Sequence, residues 1–271
     1  MTHKLGVSGS TIMSDPEKLN DLFGYQLSHV EIGEFPNEAS FQKFLKLAEQ
    51  NQVTFGIHSP LIRGNSKYDL IEKVSVPTEL ARDNFEKEVS AMKEAGAAYV
   101  LVHFPYFRGE RRENPSEMIE EGLSLLSSWQ LKYGIPIVCE PKLGVDQSSL
   151  GIEYLHEFSE NLWKSYGLSI CIDIGDYRMA AGDQWKKYLK PLLPFVKVVH
   201  LHNVAYLEEE YLWIPVHPEL ESSSHHYAMQ PMIEYLASGR EKFFVFEHTP
   251  HSRPSRQMVA EGIQWVHNLI E

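Results

Sequence analysis

The chain has 271 residues, of which 43% are hydrophobic and 23% charged, with a formal net charge of −12. This composition is ordinary for a globular protein, and the negative balance argues against a protein that coats nucleic acid, which would need clustered lysines and arginines. The opening residues MTHKLGVSGS contain no long apolar segment, and no window approaches the roughly 20 apolar residues of a membrane span. We therefore expect neither a secretory signal nor a membrane protein. Cys139 and Cys171 both lie in apolar segments, which favours reduced, buried thiols and a cytoplasmic location.

Short apolar segments rich in β-branched and aromatic residues recur eight times along the chain, and each is typical of a buried strand. They are KLGVS (4–8), HVEIG (29–33), VTFGIH (53–58), AYVLVH (98–103), IPIVCE (135–140), LSICID (168–173), VKVVHLH (196–202) and FFVFE (243–247).

Amphipathic segments with helix start and stop signals lie between these strands. Asp15-Pro16-Glu17 begins one predicted helix, and Asn114-Pro115 begins another that Gly134 ends. Further helices are predicted at FQKFLKLAEQ (41–50), 79–96, 148–166, 184–193, 228–238 and 255–270.

The regular alternation of strands and helices predicts a parallel sheet. Eight such units in a chain of this length favour a single-domain (β/α)8 TIM barrel over residues 1–271, and the first strand is not followed by a dinucleotide-binding GxGxxG motif. Two connections, 59–78 and 203–227, are long. Both follow the carboxyl ends of strands, where the catalytic loops of such barrels lie, so they are candidate lids.

Histidines and carboxylates occupy the carboxyl ends of six of the predicted strands. They are His58, His103, Glu140, Asp173, His200 with His202 after it, and Glu247. Glu31 lies near the end of the second strand. Because side chains alternate along a strand, Asp173 shares a face with Cys171, Glu140 shares one with Val138, and the two histidines of the seventh strand lie on one face. We expect that face to point inward, so that these side chains meet at the mouth of the barrel.

Packing alone does not explain such a group of polar side chains. A buried ionised carboxylate costs several kcal/mol unless it is paired or coordinated, and converging carboxylates also repel one another. A divalent metal removes both difficulties, and mixed carboxylate and imidazole ligands suit zinc, manganese, cobalt or iron better than calcium. A single histidine could be a core residue with all its hydrogen bonds made. A single acidic residue could be a helix N-cap or the partner in an ion pair. All six strand ends together favour a site for one or two metal ions.

Six short motifs follow one another in the order and spacing of a known superfamily. They are IHSP (57–60), VHFP (102–105), CEP (139–141), CIDIGD (171–176), VHLHN (199–203) and FEH (246–248). Over nearly its whole length the chain resembles the xylose-isomerase-like TIM-barrel superfamily, which includes sugar isomerases, epimerases and endonuclease IV. The four ligands that this resemblance implies for a shared metal ion are Glu140, Asp173, His200 and Glu247. His58 and His103, with Glu140 as a bridging ligand, correspond to the residues that bind a second ion in endonuclease IV.

The chain departs from endonuclease IV at the third metal site of that nuclease. The nuclease has a histidine three residues after the strand-six aspartate, where this chain has Asp176, and an Asp-x-His on the following loop, where this chain has Pro215-Val216-His217. The candidate ligands for a third ion are therefore the weaker set Asp176, His202 and His217. These departures, and the lack of a basic, aromatic-rich groove in the sequence, weaken the nuclease interpretation.

The resemblance implies a divalent-metal-dependent isomerase or epimerase of a small carbohydrate-like substrate, such as a sugar, sugar phosphate or keto-polyol. Glu140 and Glu247 would transfer a proton off and onto carbon through a metal-stabilised enediolate. Lys142 and Arg63 are candidate substrate contacts. Two alternatives remain open: a zinc-dependent phosphodiesterase acting at abasic DNA, and a metal-dependent lyase or dehydratase. The isomerase class is the preferred prediction.

Overall fold

In chain order the strands are β1 (Lys4–Ser8), β2 (His29–Ile32), β3 (Thr54–His58), β4 (Val100–His103), β5 (Ile137–Glu140), β6 (Ser169–Asp173), β7 (Val196–Leu201), β8 (Asn203–Leu207), β9 (Glu210–Ile214) and β10 (Phe243–Phe246). Eight of them are parallel and close into a barrel, in the order β1-β10-β7-β6-β5-β4-β3-β2 around the ring. This computed structural model describes residues 2–108, 115–143, 150–157, 160–207 and 210–271. Each of the eight predicted strands is confirmed, with its ends within two residues of the expected ones.

Helices surround the barrel. They are α1 (Glu38–Gln50), α2 (Thr78–Ala95), α3 (Pro115–Tyr133), α4 (Leu150–Glu157), α5 (Glu160–Tyr166), α6 (Ile174–Ala181), α7 (Trp185–Leu189), α8 (Gln230–Leu236) and α9 (Arg256–Ile270), with short 3₁₀ helices at Gly9–Ile12, Pro16–Phe23, Gly182–Gln184, Leu193–Phe195, Pro218–Leu220 and Pro250–Ser252. Among the described helices, none is long and apolar enough to cross a membrane.

Most predicted helices form, with local differences at their ends. The start signal at Asp15 is confirmed, because its carboxylate accepts the Glu17 amide, but the helix that follows is of the 3₁₀ type. Gly134 follows α3 with a φ of +64°, the left-handed conformation expected of a helix-ending glycine. The predicted helix 148–166 corresponds to α4 and α5, and its residues 148–149 and 158–159 lie outside the described residues, as does Asn114.

Two features after the sixth and seventh strands differ from the prediction. Helix α6 begins directly at the end of β6, and the predicted helix 184–193 is the shorter α7. The connection 203–227 begins with an antiparallel hairpin, β8–β9, in which Asn203 pairs with Ile214.

The other long connection, residues 59–78, is held together by Asp69, a fully buried carboxylate that accepts the amides of Ser75 and Val76. A lid role for either connection stays a prediction.

The barrel interior is filled by a cluster separate from the larger core between strands and helices. Its buried members are Tyr99, Leu101, Val138, Cys171, Val198, Phe243 and Val245. Val138 and Cys171 therefore face inward, which confirms the alternation read from the sequence. Glu140 and Asp173, two residues further along the same strands, continue this inward face at the carboxyl end of the barrel.

Candidate metal centre and active site

The carboxyl ends of the strands bring the predicted side chains side by side around the barrel mouth. His103 is in register with Glu140 on the next strand, and Asp173 is in register with His200. A cavity of about 640 Å³ opens beside them, within the roughly 300–1,000 Å³ typical of small-molecule sites. The described lining includes Ser8, Ser10, Met13, Glu34, His58, Arg63, Lys67, Tyr68, His103, Tyr106, Lys142, Asp176, Tyr211, Trp213, Glu247 and Thr249.

Glu140, Asp173, His200 and Glu247 form one compact, buried group. One donor atom of each lies within 4.8 Å of the donor atoms of the others. Nδ1 of His200 is 2.8 Å from Oε2 of Glu247 and 3.4 Å from Oε1 of Glu140. Each residue comes from the end of a different strand, so the spacing is set by the barrel geometry rather than by a mobile loop.

Each member of this group presents a buried atom that makes no hydrogen bond of acceptable geometry with the described residues, although Nδ1 of His200 and Oε2 of Glu247 lie 2.8 Å apart. These atoms are Oε2 of Glu140, Oδ2 of Asp173, Nδ1 of His200 and Oε2 of Glu247. An unsatisfied buried polar atom costs about 1–3 kcal/mol, and more when the group is charged. A divalent cation bound by these four donors would remove that cost, and three carboxylates with one imidazole are a donor set that suits zinc, manganese or iron. The residues present therefore fit a metal ion.

His58 and His103 form a second possible cluster with Glu140. Their Nε2 atoms are 3.2 Å apart, and they lie 3.4 Å and 3.2 Å from Oε2 of Glu140. Burial holds the pKa of His103 well below its usual value, whereas the Glu140 carboxylate outweighs burial and raises the pKa of His58. The ring of Tyr68 stacks on His103 with centroids 5.0 Å apart. The structure thus brings together the pair that the sequence assigned to a second ion.

Asp173, Asp176 and His202 form a third acidic cluster, and the side chain of Lys142 reaches into it. The Lys142 ammonium lies 2.9 Å from Asp176, 3.0 Å from Glu140 and 3.6 Å from Asp173. Burial disfavours the ammonium, but these carboxylates outweigh it and hold the pKa of Lys142 well above its usual value. Burial and the nearby Asp173 raise the pKa of Asp176 to about 6. Lys142, predicted as a substrate contact, therefore also neutralises this cluster.

His202 contacts Asp173 at the end of β6 and Trp213 on β9. Its Nε2 is 2.8 Å from Oδ1 of Asp173, which also accepts the Asp176 amide and so caps α6. The ring of Trp213, on β9, stacks on the His202 ring with centroids 4.5 Å apart. Gly175 allows this arrangement, because a Cβ there would lie 2.0 Å from Cε1 of His202. The hairpin thus supplies an aromatic wall to the site.

Glu31 is a further site residue, whose role the sequence prediction did not identify. It is completely buried, and its carboxylate lies 2.8 Å from Nε2 of His200 and 2.7 Å from the Tyr99 hydroxyl. Burial alone would raise its pKa, but the His200 imidazole and the Tyr99 hydroxyl outweigh burial and lower it. The sequence did contain a signal for Glu31, because it is an acidic residue on the inward face of an otherwise apolar strand.

Two predicted residues lie at the margin of this centre. His217 is buried with Nε2 3.2 Å from Glu261 on α9, and none of the possible metal clusters among the described residues includes it. Arg63 is exposed at the cavity edge, where it donates to the Met13 carbonyl at 3.3 Å. The structure therefore separates His217 from Asp176 and His202.

Several solved structures share the fold of this chain, whereas the curated proteins include no significant sequence match. The 3-keto-D-glucoside 4-epimerase of E. coli is 12% identical over 98% of this chain and 99% of its own, with a TM-score of 0.68. A D-tagatose 3-epimerase-like protein is 17% identical over 99% and 100%, with a TM-score of 0.67. A xylose isomerase-like TIM barrel protein from Mycobacterium smegmatis, in complex with magnesium, is 11% identical over 99% and 97%, with a TM-score of 0.63.

At these identities the structural likeness shows the fold alone. The evidence for the family is a match to its sequence model that spans residues 6–269, almost the entire chain. The chain therefore belongs to the xylose isomerase-like TIM barrel family.

Proposed function

We propose that this protein is a divalent-metal-dependent isomerase or epimerase of a small keto sugar or related polyol. The observation that carries the proposal is the convergence of four buried metal-donor atoms, from Glu140, Asp173, His200 and Glu247, that make no hydrogen bond of acceptable geometry and lie beside a cavity of small-molecule size. The epimerases of the same fold and the magnesium complex of a family member support it.

When bound, a divalent cation would supply Lewis acidity toward neighbouring substrate oxygens and charge to balance the carboxylates. Glu247 lines the cavity, so in this proposal the carboxylate oxygen that does not face the cation takes a proton from the carbon beside a substrate carbonyl. Glu140 is fully buried against the Lys142 ammonium, which together with the neighbouring histidines outweighs burial and lowers its pKa. In this proposal Glu140 is the second carboxylate: it takes a proton from the Lys142 ammonium, 3.0 Å away, and passes it to the substrate carbon. Glu247 then releases the proton it abstracted to solvent in the cavity, and solvent restores the proton of Lys142.

The cavity wall fits a carbohydrate without a phosphate group. Tyr68, Tyr106 and Trp213 offer aromatic surfaces and polar edges, a mixture that suits the C–H faces and hydroxyls of a sugar. The described lining has three acidic residues (Glu34, Asp176, Glu247) and three basic ones (Arg63, Lys67, Lys142). Two of the basic residues are already paired, Lys67 with Glu34 at 2.6 Å and Lys142 with Asp176 at 2.9 Å. Little positive charge is then left for a dianion, which favours a neutral keto sugar.

One observation favours a second candidate, phosphodiester hydrolysis. His58, His103 and Glu140 form a cluster able to hold a second cation, and paired metal ions are typical of phosphodiesterases. Against this candidate, the Lys142 ammonium neutralises the third cluster, and the net charge of −12 disfavours binding to a DNA backbone. We therefore rank it second.

The two candidates make different predictions for one pair of assays. Protein reconstituted with manganese or zinc should exchange the hydrogen beside the carbonyl of a ketohexose or ketopentose for deuterium in D2O, and a second epimer or isomer should appear by NMR. Removal of the metal, or Glu247→Gln, should abolish the exchange. A duplex with an abasic site should stay intact under the same conditions. Nicking of that duplex at low protein concentration, with every ketose inert, would reverse the ranking.

A further inference from the structure

Glu31 and His200 meet across the interior of the barrel. They belong to β2 and β7, which are not neighbours in the ring of strands, and Oε1 of Glu31 lies 2.8 Å from Nε2 of His200. Both side chains are completely buried. This contact therefore depends on the closed barrel, and it lies on the side of the imidazole away from the other carboxylates.

The direction of this hydrogen bond determines which nitrogen of His200 is free. A carboxylate oxygen accepts, so Nε2 of His200 carries the hydrogen and donates it to Glu31. The lone pair of a neutral imidazole is then on Nδ1, the atom that lies 2.8 Å from Glu247 and 3.4 Å from Glu140. Nδ1 makes no hydrogen bond of acceptable geometry with the described residues, and the oxygens it approaches belong to two other members of the proposed metal group.

The other carboxylate oxygen of Glu31 also has a hydrogen-bond partner. Oε2 accepts the Tyr99 hydroxyl at 2.7 Å, and the Tyr99 oxygen lies 2.9 Å from Nε2 of His29. Nδ1 of His29 is in turn 3.0 Å from the hydroxyl of Thr54, at the amino end of β3. A line of hydrogen bonds thus runs through the barrel interior from its amino end to His200, and it leaves Glu31 little freedom to rotate.

Glu31 could in principle be a ligand itself, because it lies in one possible cluster with His58, His200 and Glu247. Its hydrogen bonds argue otherwise. Both of its oxygens are engaged in hydrogen bonds, whereas Glu140 and Glu247 each have a buried oxygen that makes none and whose nearest nitrogens belong to candidate metal-binding histidines. Coordination by Glu31 would break a short contact with His200 or with Tyr99.

We propose that Glu31 is a positioning residue that keeps His200 in the Nε2–H form and directs its Nδ1 toward the bound cation. The inference rests on the metal centre of the proposed function. A carboxylate behind a metal-binding histidine fixes the ring orientation and makes the ligand more basic, and loss of such a partner typically weakens metal binding about 10–100-fold.

Zinc dissociation constants test the inference without any assay of activity. They would be measured by competition with a chromophoric chelator for the wild type, Glu31→Leu, Tyr99→Phe and the control Glu88→Leu. Glu88 is another buried carboxylate, on α2, and accepts the Leu61 amide at 2.8 Å. We expect Glu31→Leu to bind zinc about 10–100-fold more weakly, Tyr99→Phe to show a smaller loss, and Glu88→Leu to bind as the wild type does.

Nitrogen-15 spectra of the histidine rings give a second readout, which does not require Glu31→Leu to fold. In the zinc-bound wild type, the His200 ring should be protonated at Nε2 and coordinated through Nδ1. Protonation at Nδ1 would overturn the inference, as would wild-type zinc affinity in Glu31→Leu or an equal loss in Glu88→Leu. A wild-type protein that binds no divalent cation would instead contradict the proposed function itself, and this inference with it.

Discussion

The ammonium nitrogen of Lys142 lies 2.9 Å from Oδ2 of Asp176, inside a group of carboxylates at the mouth of the barrel. The side chain of Lys142 is only 12% exposed and also contacts Glu140 and Asp173. A side-chain cation is therefore present beside the cluster in which Asp173, Asp176 and His202 could hold a metal ion. We therefore expect Lys142 to limit the number of metal ions that the proposed site accepts.

Substitution of Lys142 by methionine should raise the number of bound zinc ions by one. Lys142→Met keeps an apolar side chain of similar length but removes the charge, so the repulsion among the carboxylates can be relieved by an added cation. Mass-spectrometric metal analysis after dialysis against zinc gives the ratio of metal to protein. Lys67→Met is the matched control, since Lys67 pairs with Glu34 at the cavity wall and its loss should leave the ratio unchanged. An unchanged ratio in Lys142→Met as well would contradict this assignment.

Loss of a central carboxylate should have the opposite effect on metal content. Asp173→Ala removes the unpartnered Oδ2 and the oxygen that His202 contacts, so we expect zinc affinity to fall at least 100-fold, on the order of 3 kcal/mol. His217→Gln is the comparison, because His217 pairs with Glu261 outside the possible metal clusters of the described residues. Calorimetric titration should show that His217→Gln binds zinc with the same affinity as the wild type. Equal binding by Asp173→Ala would remove the basis for the proposed site.

Much of the fold was predictable from the sequence because buried parallel strands are marked by continuous apolar segments. The short helix α6 was missed, since it begins with Ile174-Gly175-Asp176, which resembles a turn, and its first turn is stabilised by the Asp173 carboxylate that also ends the strand. The hairpin β8–β9 was missed because its apolar segments, VAYL (204–207) and YLWI (211–214), are short and follow β7 with no helix between them, so they do not fit the strand–helix alternation.

The candidate site was predictable to the extent that each residue ends a strand on the inward face. The alternation of side chains along a strand can be read from one short segment. It was therefore enough to predict that Asp173 and Glu140 point into the barrel. The part played by Glu31 depends instead on a contact between β2 and β7, which no single segment encodes. The same holds for Lys142, whose partners come from three separate positions in the chain, and for the isolation of His217 from the metal clusters.

The buried carboxylate of Glu88 predicts a pH dependence of stability. Burial raises its pKa from 4.5 to about 7, although the Leu61 amide opposes the shift. The folded protein therefore holds this proton more tightly than the unfolded chain does, and stability falls as the pH rises from about 4.5 to 7. The contribution is about 3 kcal/mol and is fully lost above pH 7.

Glu88→Gln removes that titration and keeps the size of the side chain. Relative to the wild type, the unfolding free energy of the variant should rise by up to about 3 kcal/mol between pH 5 and pH 8. Urea unfolding of both proteins in the metal-free state, at the two pH values, measures the difference. A difference between variant and wild type that is the same at both pH values would show that Glu88 titrates normally.

An anomalous difference map of a zinc-soaked crystal would show directly whether Glu140, Asp173, His200 and Glu247 hold one divalent cation at the barrel mouth. We expect a peak about 2.0–2.2 Å from Nδ1 of His200 and from carboxylate oxygens of Glu140, Asp173 and Glu247. A second peak between His58, His103 and Glu140 would be compatible with this claim and would strengthen the hydrolase candidate. A map with no peak among the four residues, or with zinc bound only elsewhere, would show that these residues do not form a metal centre.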